Sequence, residues 1–94
     1  MSDVLAKLED RIILRQKEQA ESSYVAKLHR QGIARMAQKV GEEGVETAIA
    51  AVTGDKEALV QECADLVFHA LVLLAACEVP FQAVEEELLH RMEK

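Results

Sequence analysis

Between Leu59 and Ala75 apolar residues surround almost the whole circumference of what their spacing makes a helix: Leu59, Val60, Ala64, Leu66, Val67, Phe68, Leu71, Val72, Leu73, Leu74 and Ala75. A helix that is apolar all round must be covered on every side. The chain has only 94 residues with which to cover it, and a chain of that size buries about 60–65% of its unfolded surface. Four other short helices hardly suffice. The sequence therefore predicts that this helix, with the one before it, packs against a second copy of the chain; the alternative is a monomer built around a central helix. The rest of the composition agrees with an all-α fold. Aromatic residues are 3%, and 4 Gly with 1 Pro are too few for the turns of a β protein. Small aliphatics with Glu, Lys, Gln and Arg are what helices use. With 50% hydrophobic and 30% charged residues, the balance is that of a globular domain rather than a disordered chain.

Local signals divide residues 1–94, a single domain, into about five helices. Ser2 and Asp3 can cap a first helix running to about Gln19, with Val4, Leu5, Leu8 and Ile12 on its apolar face. Glu21-Ser22-Ser23 breaks that pattern. Either serine can cap a short helix from Tyr24 to about Arg30, with Gly32 as terminator. Ile33 to Val52 reads as a long helix stopped by Gly54, and Asp55 caps the next, Lys56 to about Glu78. Pro80 suits the start of a last helix, in which Val84, Leu88 and Met92 face inward and Glu85-Glu86-Glu87 is a solvated face. The expected fold is a small all-α bundle with a four-helix-type core completed by dimerisation.

Charge and cysteine usage exclude several classes. A net charge of −6 without any Lys/Arg run argues against nucleic acid and against a polybasic membrane contact. Met1-Ser2-Asp3-Val4 lacks the blocks of a signal peptide. The longest apolar stretch, Leu66 to Cys77, is interrupted by His69 and falls short of the ~20 residues that span a bilayer. Cys63 and Cys77 fall in one helix, about 21 Å apart at about 1.5 Å per residue, too far for a disulfide. Reduced thiols in a cytoplasmic protein are the simple reading.

The chemistry is concentrated in Lys39-Val40-Gly41-Glu42-Glu43-Gly44-Val45-Glu46. At about 100° per residue, Glu42, Glu43, Glu46 and Lys39 share a wedge about 100° wide over two turns. Like charges spaced i,i+3 and i,i+4 oppose one another; at about 6 Å and an effective dielectric near 20, each pair costs about 3 kcal/mol. One lysine cannot neutralise three carboxylates, whereas a divalent cation can. The next helix repeats the device with Glu62 and Asp65 at i,i+3 in an apolar surround, where a charge is expensive unless paired or metal-bound. The tight Gly54-Asp55 turn makes the two helices antiparallel and puts Glu46 and Glu62 at similar heights. Glu43, Glu46, Glu62 and Asp65 can then face one point, and oxygen-only ligands suit Mg²⁺ or Mn²⁺. Gly41 and Gly44 weaken the helix by about 1 kcal/mol each relative to Ala; the return would be close approach of a ligand or a neighbouring helix. The competing reading of the Glu42-Glu43-Glu46 segment is a solvated acidic face. His69, one turn after Asp65, is either a core histidine hydrogen-bonded to a carboxylate or a group supporting the site from behind. Glu87-Leu88-Leu89-His90 matches half of a di-iron motif by chance, and His29 reads as a surface residue.

The pattern Glu-Glu-x-x-Glu followed by Glu-x-x-Asp resembles the all-α, MazG-like nucleoside triphosphate pyrophosphohydrolases. A longer set of segments is similar to the phosphoribosyl-ATP pyrophosphatase family of histidine biosynthesis: Ser23-Tyr24-Val25-Ala26-Lys27-Leu28, Gly32, Lys39-Val40-Gly41-Glu42-Glu43, Ala50-Ala51, Gly54-Asp55, Glu62-Cys63-Ala64-Asp65-Leu66, His69 and Leu71-Val72-Leu73-Leu74-Ala75. The likeness covers about residues 4 to 91 and suggests the stand-alone form, without a fused cyclohydrolase domain. It implies hydrolysis of phosphoribosyl-ATP to phosphoribosyl-AMP and pyrophosphate. Mg²⁺ held by Glu43, Glu46, Glu62 and Asp65 would bridge phosphate oxygens and orient the attacking water. Glu42 would activate that water or hold another Mg²⁺, and Lys39 would offset charge developing on the phosphates. Arg15, Ser23, Tyr24 and Lys27 are candidates for the ribose phosphates or the leaving pyrophosphate, with the helix start at Ser23 suited to a phosphate. Two rivals remain: a housecleaning pyrophosphohydrolase acting on noncanonical nucleotides, and a non-enzymatic acidic helical dimer serving as an interaction module.

Overall fold

A computed structural model describes residues 3–93. In chain order it holds α1 (Asp3–Arg15), a 3₁₀ turn (Ala20–Ser22), α2 (Tyr24–Gln31), α3 (Ile33–Val52), α4 (Lys56–Ala76) and α5 (Phe81–Met92). There is no strand among the described residues. The fold is an all-α small bundle.

The capping chemistry explains most boundaries. Ser23 Oγ accepts the Ala26 N–H at 3.1 Å and starts α2. Gly32, at φ +101°, separates α2 from α3 in a backbone region that disfavours side chains. Asp55 Oδ1 accepts the Ala58 N–H at 3.0 Å and starts α4. Ser2, the other candidate cap of α1, lies outside the described residues. Three boundaries differ from expectation. α1 stops at Arg15 instead of near Gln19, because past Ile12 the next core-facing positions, Gln16 and Gln19, have nothing apolar to bury and helical stability comes mainly from such burial. α4 stops at Ala76 instead of Glu78. Glu78 adopts φ +60°, and the Val79 N–H closes back on the Leu74 carbonyl at 2.9 Å, so a left-handed residue ends the helix just before Pro80. In α5, Val84 is half-buried but Leu88 and Met92 are exposed rather than inward. α5 is anchored at its first turn, through Phe81 packed on the core and its N–H donated to the Glu9 carboxylate at 2.7 Å.

The antiparallel α3–α4 hairpin is the frame, joined by Thr53-Gly54-Asp55 with Gly54 at φ +79°. The core gathers at the end of this hairpin remote from the turn: Ile12 of α1, Val25 and Leu28 of α2, Met36 of α3, and Leu71, Val72 and Ala75 of α4. Toward the turn the hairpin is bare, with Val45, Ile49, Val52 and Val60 all exposed. By length and composition α4 is able to cross a membrane, contrary to the expectation built on Leu66 to Cys77 alone, because the helix extends back through Ala58, Leu59 and Val60. A core helix passes the same test.

Candidate metal and nucleotide site

Along α3 the buried residues recur every seventh position: Met36, Glu43 and Ala50. The middle member is a carboxylate, only 6% exposed. Such a group is expensive to bury without compensation. Lys39 Nζ supplies part of it, 3.3 Å from Glu43 Oε2, but Glu43 Oε1 is buried with no hydrogen-bond partner. Across the hairpin α4 presents Glu62 and Asp65, so that one oxygen each of Glu43, Glu62 and Asp65 lies within 4.8 Å of the others. Glu62 Oε1 is likewise buried without a partner. Two unpaired buried oxygens in a three-carboxylate group, all hard ligands, fit a divalent cation of the Mg²⁺ type.

Glu46 does not enter that group. It rises one turn nearer Gly54, stands close to the Glu62 carboxyl, and lines a cavity of about 260 Å³ with Ile49, Thr53, Asp55 and Glu62. Of the acids expected around one point, three meet and Glu46 borders them through Glu62. The electrostatics follow from this crowding. Burial pushes the Glu62 carboxyl above its ordinary value, and the neighbouring acids Glu46, Glu43 and Asp65 push the same way. Glu42 stands at the flank of that group: it accepts from Gln38 Nε2 at 2.8 Å and lies 3.6 Å from Lys39 and 3.9 Å from Arg35. The Gln38 hydrogen bond first, and the two cations after it, outweigh desolvation and hold Glu42 below the usual carboxylate range. For Lys39, burial works against the charge, but the Glu43 hydrogen bond and the fields of Tyr24, Glu43 and Glu42 outweigh it and raise the ammonium's pKa.

Tyr24 and His69 tie α2 to this centre. His69, buried, places Nδ1 2.8 Å from the Asp65 backbone carbonyl and Nε2 2.7 Å from Tyr24 Oη. A carbonyl only accepts, so Nδ1 carries the proton and Nε2 accepts from the tyrosine hydroxyl. His69 is thus a core histidine whose partners are the Asp65 backbone carbonyl and the Tyr24 hydroxyl and not a carboxylate. Tyr24, half-exposed, also stacks on Phe68 with ring centroids 6.1 Å apart.

The remaining candidates lie around the start of α2. Ser23, Tyr24 and Lys27 line a cavity of about 530 Å³ with Ala20 and Glu21. A smaller cavity of about 150 Å³ on the other side is lined by Tyr24, Lys27, Leu28, Gln31 and Arg35. Arg15 lines neither; its guanidinium turns to Glu18 at 3.0 Å. The glycines of α3 are not required by helix packing: a Cβ at Gly41 meets nothing within 4 Å, and one at Gly44 meets only Leu66 Cδ1, at 4.0 Å.

A family model, phosphoribosyl-ATP pyrophosphohydrolase, matches residues 5–92. The chain belongs to the phosphoribosyl-ATP pyrophosphohydrolase family. Among its relatives, the phosphoribosyl-ATP pyrophosphatase of Novosphingobium aromaticivorans is 54% identical over 95% of this chain and 83% of its own. The enzyme of the same name from Methanocella arvoryzae is 45% identical over 97% of this chain and 98% of its own. The histidine biosynthesis bifunctional protein HisIE of Campylobacter jejuni is 51% identical over 93% of this chain, which spans 42% of that protein. As a member of the pyrophosphohydrolase family the chain is a hydrolase acting on a small molecule. Sequence reasoning passed over one residue of this family member, Arg35. Its signal was present: Arg35, Lys39 and Glu43 stand at i, i+4 and i+8 on one face of α3.

Proposed function

We propose that this chain hydrolyses phosphoribosyl-ATP to phosphoribosyl-AMP and pyrophosphate, a step of histidine biosynthesis, with Mg²⁺ or Mn²⁺ held by Glu43, Glu62 and Asp65 and with Glu46 reached through Glu62. The observation that carries the reading is the pair of unpartnered buried oxygens, Glu43 Oε1 and Glu62 Oε1, in a group whose members lie within 4.8 Å. When bound there, the cation neutralises phosphate oxygens and orients water. The protein's own residues do the rest. Lys39, held protonated beside Glu43, offsets charge developing on the departing phosphate. Glu42 stays ionised at the flank of the three acids and is available to accept the proton of the attacking water or to hold a second cation. Ser23, Tyr24 and Lys27, around one cavity at the start of α2, bind a ribose phosphate of the substrate away from the acids. The Tyr24 hydroxyl already donates its hydrogen bond to His69, so toward a ligand this tyrosine offers its ring and an accepting oxygen rather than a donor.

The acting unit is a homodimer in the cytoplasm, without nucleic-acid or membrane partners. The bare apolar residues Val45, Ile49, Val52 and Val60 and the free thiols of Cys63 and Cys77 support this. The deciding experiment measures pyrophosphate release with Mg²⁺ from phosphoribosyl-ATP, ATP and deoxynucleotides at equal concentration. A strong preference for phosphoribosyl-ATP is expected. Comparable turnover of the others would promote the housecleaning reading, and no metal-dependent turnover at all would leave an interaction module.

A further inference from the structure

Four surface cavities each include at least one carboxylate among their lining residues: Glu9 and Glu78; Glu21; Asp3, Glu9 and Glu85; Glu46, Asp55 and Glu62. The fifth, between α2 and the start of α3, has none. It is lined by Tyr24, Lys27, Leu28, Gln31 and Arg35: two cations, an amide and an aromatic ring. In a chain of net charge −6 such a place stands out electrostatically. Its position matters as much as its sign. Arg35 occupies both the cavity and the edge of the acidic centre, 3.9 Å from Glu42. One turn on, Lys39 reaches Glu43 at 3.3 Å. A cationic row therefore runs from the cavity to the acids, and the eight-residue separation of Arg35 and Glu43 on α3 spans about 12 Å.

We propose that Lys27 and Arg35 form a binding site for a sugar phosphomonoester, holding the end of the substrate opposite its triphosphate. This rests on the proposed function, in which the acids hold the triphosphate through a cation. The two ends of such a substrate then need opposite environments, carboxylates with metal at one and bare cations at the other. A guanidinium offers the planar, forked donor set that matches phosphate oxygens, and an ammonium adds a point charge. Gln31 contributes a neutral donor. Because the phosphomonoester is what distinguishes phosphoribosyl-ATP from ATP, Lys27 and Arg35 determine specificity and not the rate of the chemical step.

The test uses the full chain with Mg²⁺ and compares wild type with Lys27→Gln, Arg35→Gln and, as a charge-matched control on the exposed face of α5, Arg91→Gln. Steady-state kinetics with phosphoribosyl-ATP are run beside competition by ATP, which has the triphosphate and lacks the phosphomonoester. For Lys27→Gln the expected result is a KM for phosphoribosyl-ATP raised on the order of 10–100-fold, kcat within a few-fold, and unchanged inhibition by ATP. Arg35→Gln should raise KM similarly; its nearness to Glu42 leaves the Lys27 variant as the deciding one. Weakened ATP competition in equal measure would assign the cavity to the triphosphate or pyrophosphate end and overturn the proposal. So would an unchanged KM, or a KM raised as much by Arg91→Gln. Failure of the wild type to hydrolyse phosphoribosyl-ATP would instead count against the proposed function itself.

Discussion

Glu43 sits where a helix of this kind normally places a hydrophobic residue, between Met36 and Ala50 on the buried stripe of α3. Packing alone would select an aliphatic side chain there, so the carboxylate costs stability that the proposed cation would return. Glu43→Gln, Glu62→Gln or Asp65→Asn is expected to lower Mg²⁺-dependent turnover by on the order of 10²-fold or more, while metal-free stability rises or stays level as like charges are relieved. Glu86→Gln, on the exposed face of α5, should change neither. Pyrophosphate release and metal-free urea unfolding read both effects. A pH dependence follows from Glu62. Its folded pKa lies above its unfolded value, so between the two the native state binds more protons than the unfolded state, and stability falls as pH rises through that window. Metal-free unfolding followed upward from about pH 4.5, the ordinary glutamate value, should show this decline, and saturating Mg²⁺ should remove it. The acids were legible in the sequence because helical periodicity and a tight turn fix which faces meet. The difference between Glu46 and its neighbours was not, since one turn of rise decides it and a two-turn estimate of height is no finer than that.

At the scale of the helices, the caps were readable wherever a side chain itself satisfies a backbone donor, as at Ser23 and Asp55. Ends governed by what lies beyond the helix were not: α1 stops for want of apolar residues, and α4 stops on a non-glycine residue at φ +60°. α5 was misjudged for a related reason. Its apolar spacing is helical, but the direction in which a helix leaves the bundle depends on a single anchor, Phe81 with Glu9. The glycines of α3 allow a sharper experiment. Beyond the adjoining residues and backbone of its own helix, nothing lies within 4 Å of a Cβ at Gly41, so Gly41→Ala should stabilise the chain by about 0.5–1 kcal/mol through helix propensity. If thermal unfolding rises accordingly while turnover falls, the glycine serves the bound nucleotide and not the fold.

For the whole molecule, α4 divides its apolar residues between two duties. Leu71, Val72 and Ala75 fill the chain's own core, so Leu71→Asp probes folding and not association. Val60, with Val45, Ile49 and Val52 nearby on the hairpin, is bare. A second copy of the chain is expected to cover this end. Sedimentation equilibrium should find a dimer at micromolar concentration, and Val60→Asp should shift it toward a folded monomer by placing a charge in the interface. A wild-type chain that sediments as a monomer would leave the bare end unexplained and remove the dimer. The sequence implied an unmet apolar surface correctly, but the exposed part is the half of the hairpin near Gly54, because the short α1 and α2 cover only the other half.

The three acids that meet in space come from one hairpin, Glu43 on α3 and Glu62 and Asp65 on α4, joined by a three-residue turn. A three-residue turn adds little loop-closure entropy, so the hairpin is expected to close early in folding. Its closure would then also be the step that assembles the charge repulsion. A divalent ion present during refolding would screen the carboxylates at that step, so Mg²⁺ should speed folding as well as slow unfolding, an effect visible by stopped-flow refolding across a metal titration. The ion would then act as an assembly cofactor for the hairpin before it takes part in any turnover.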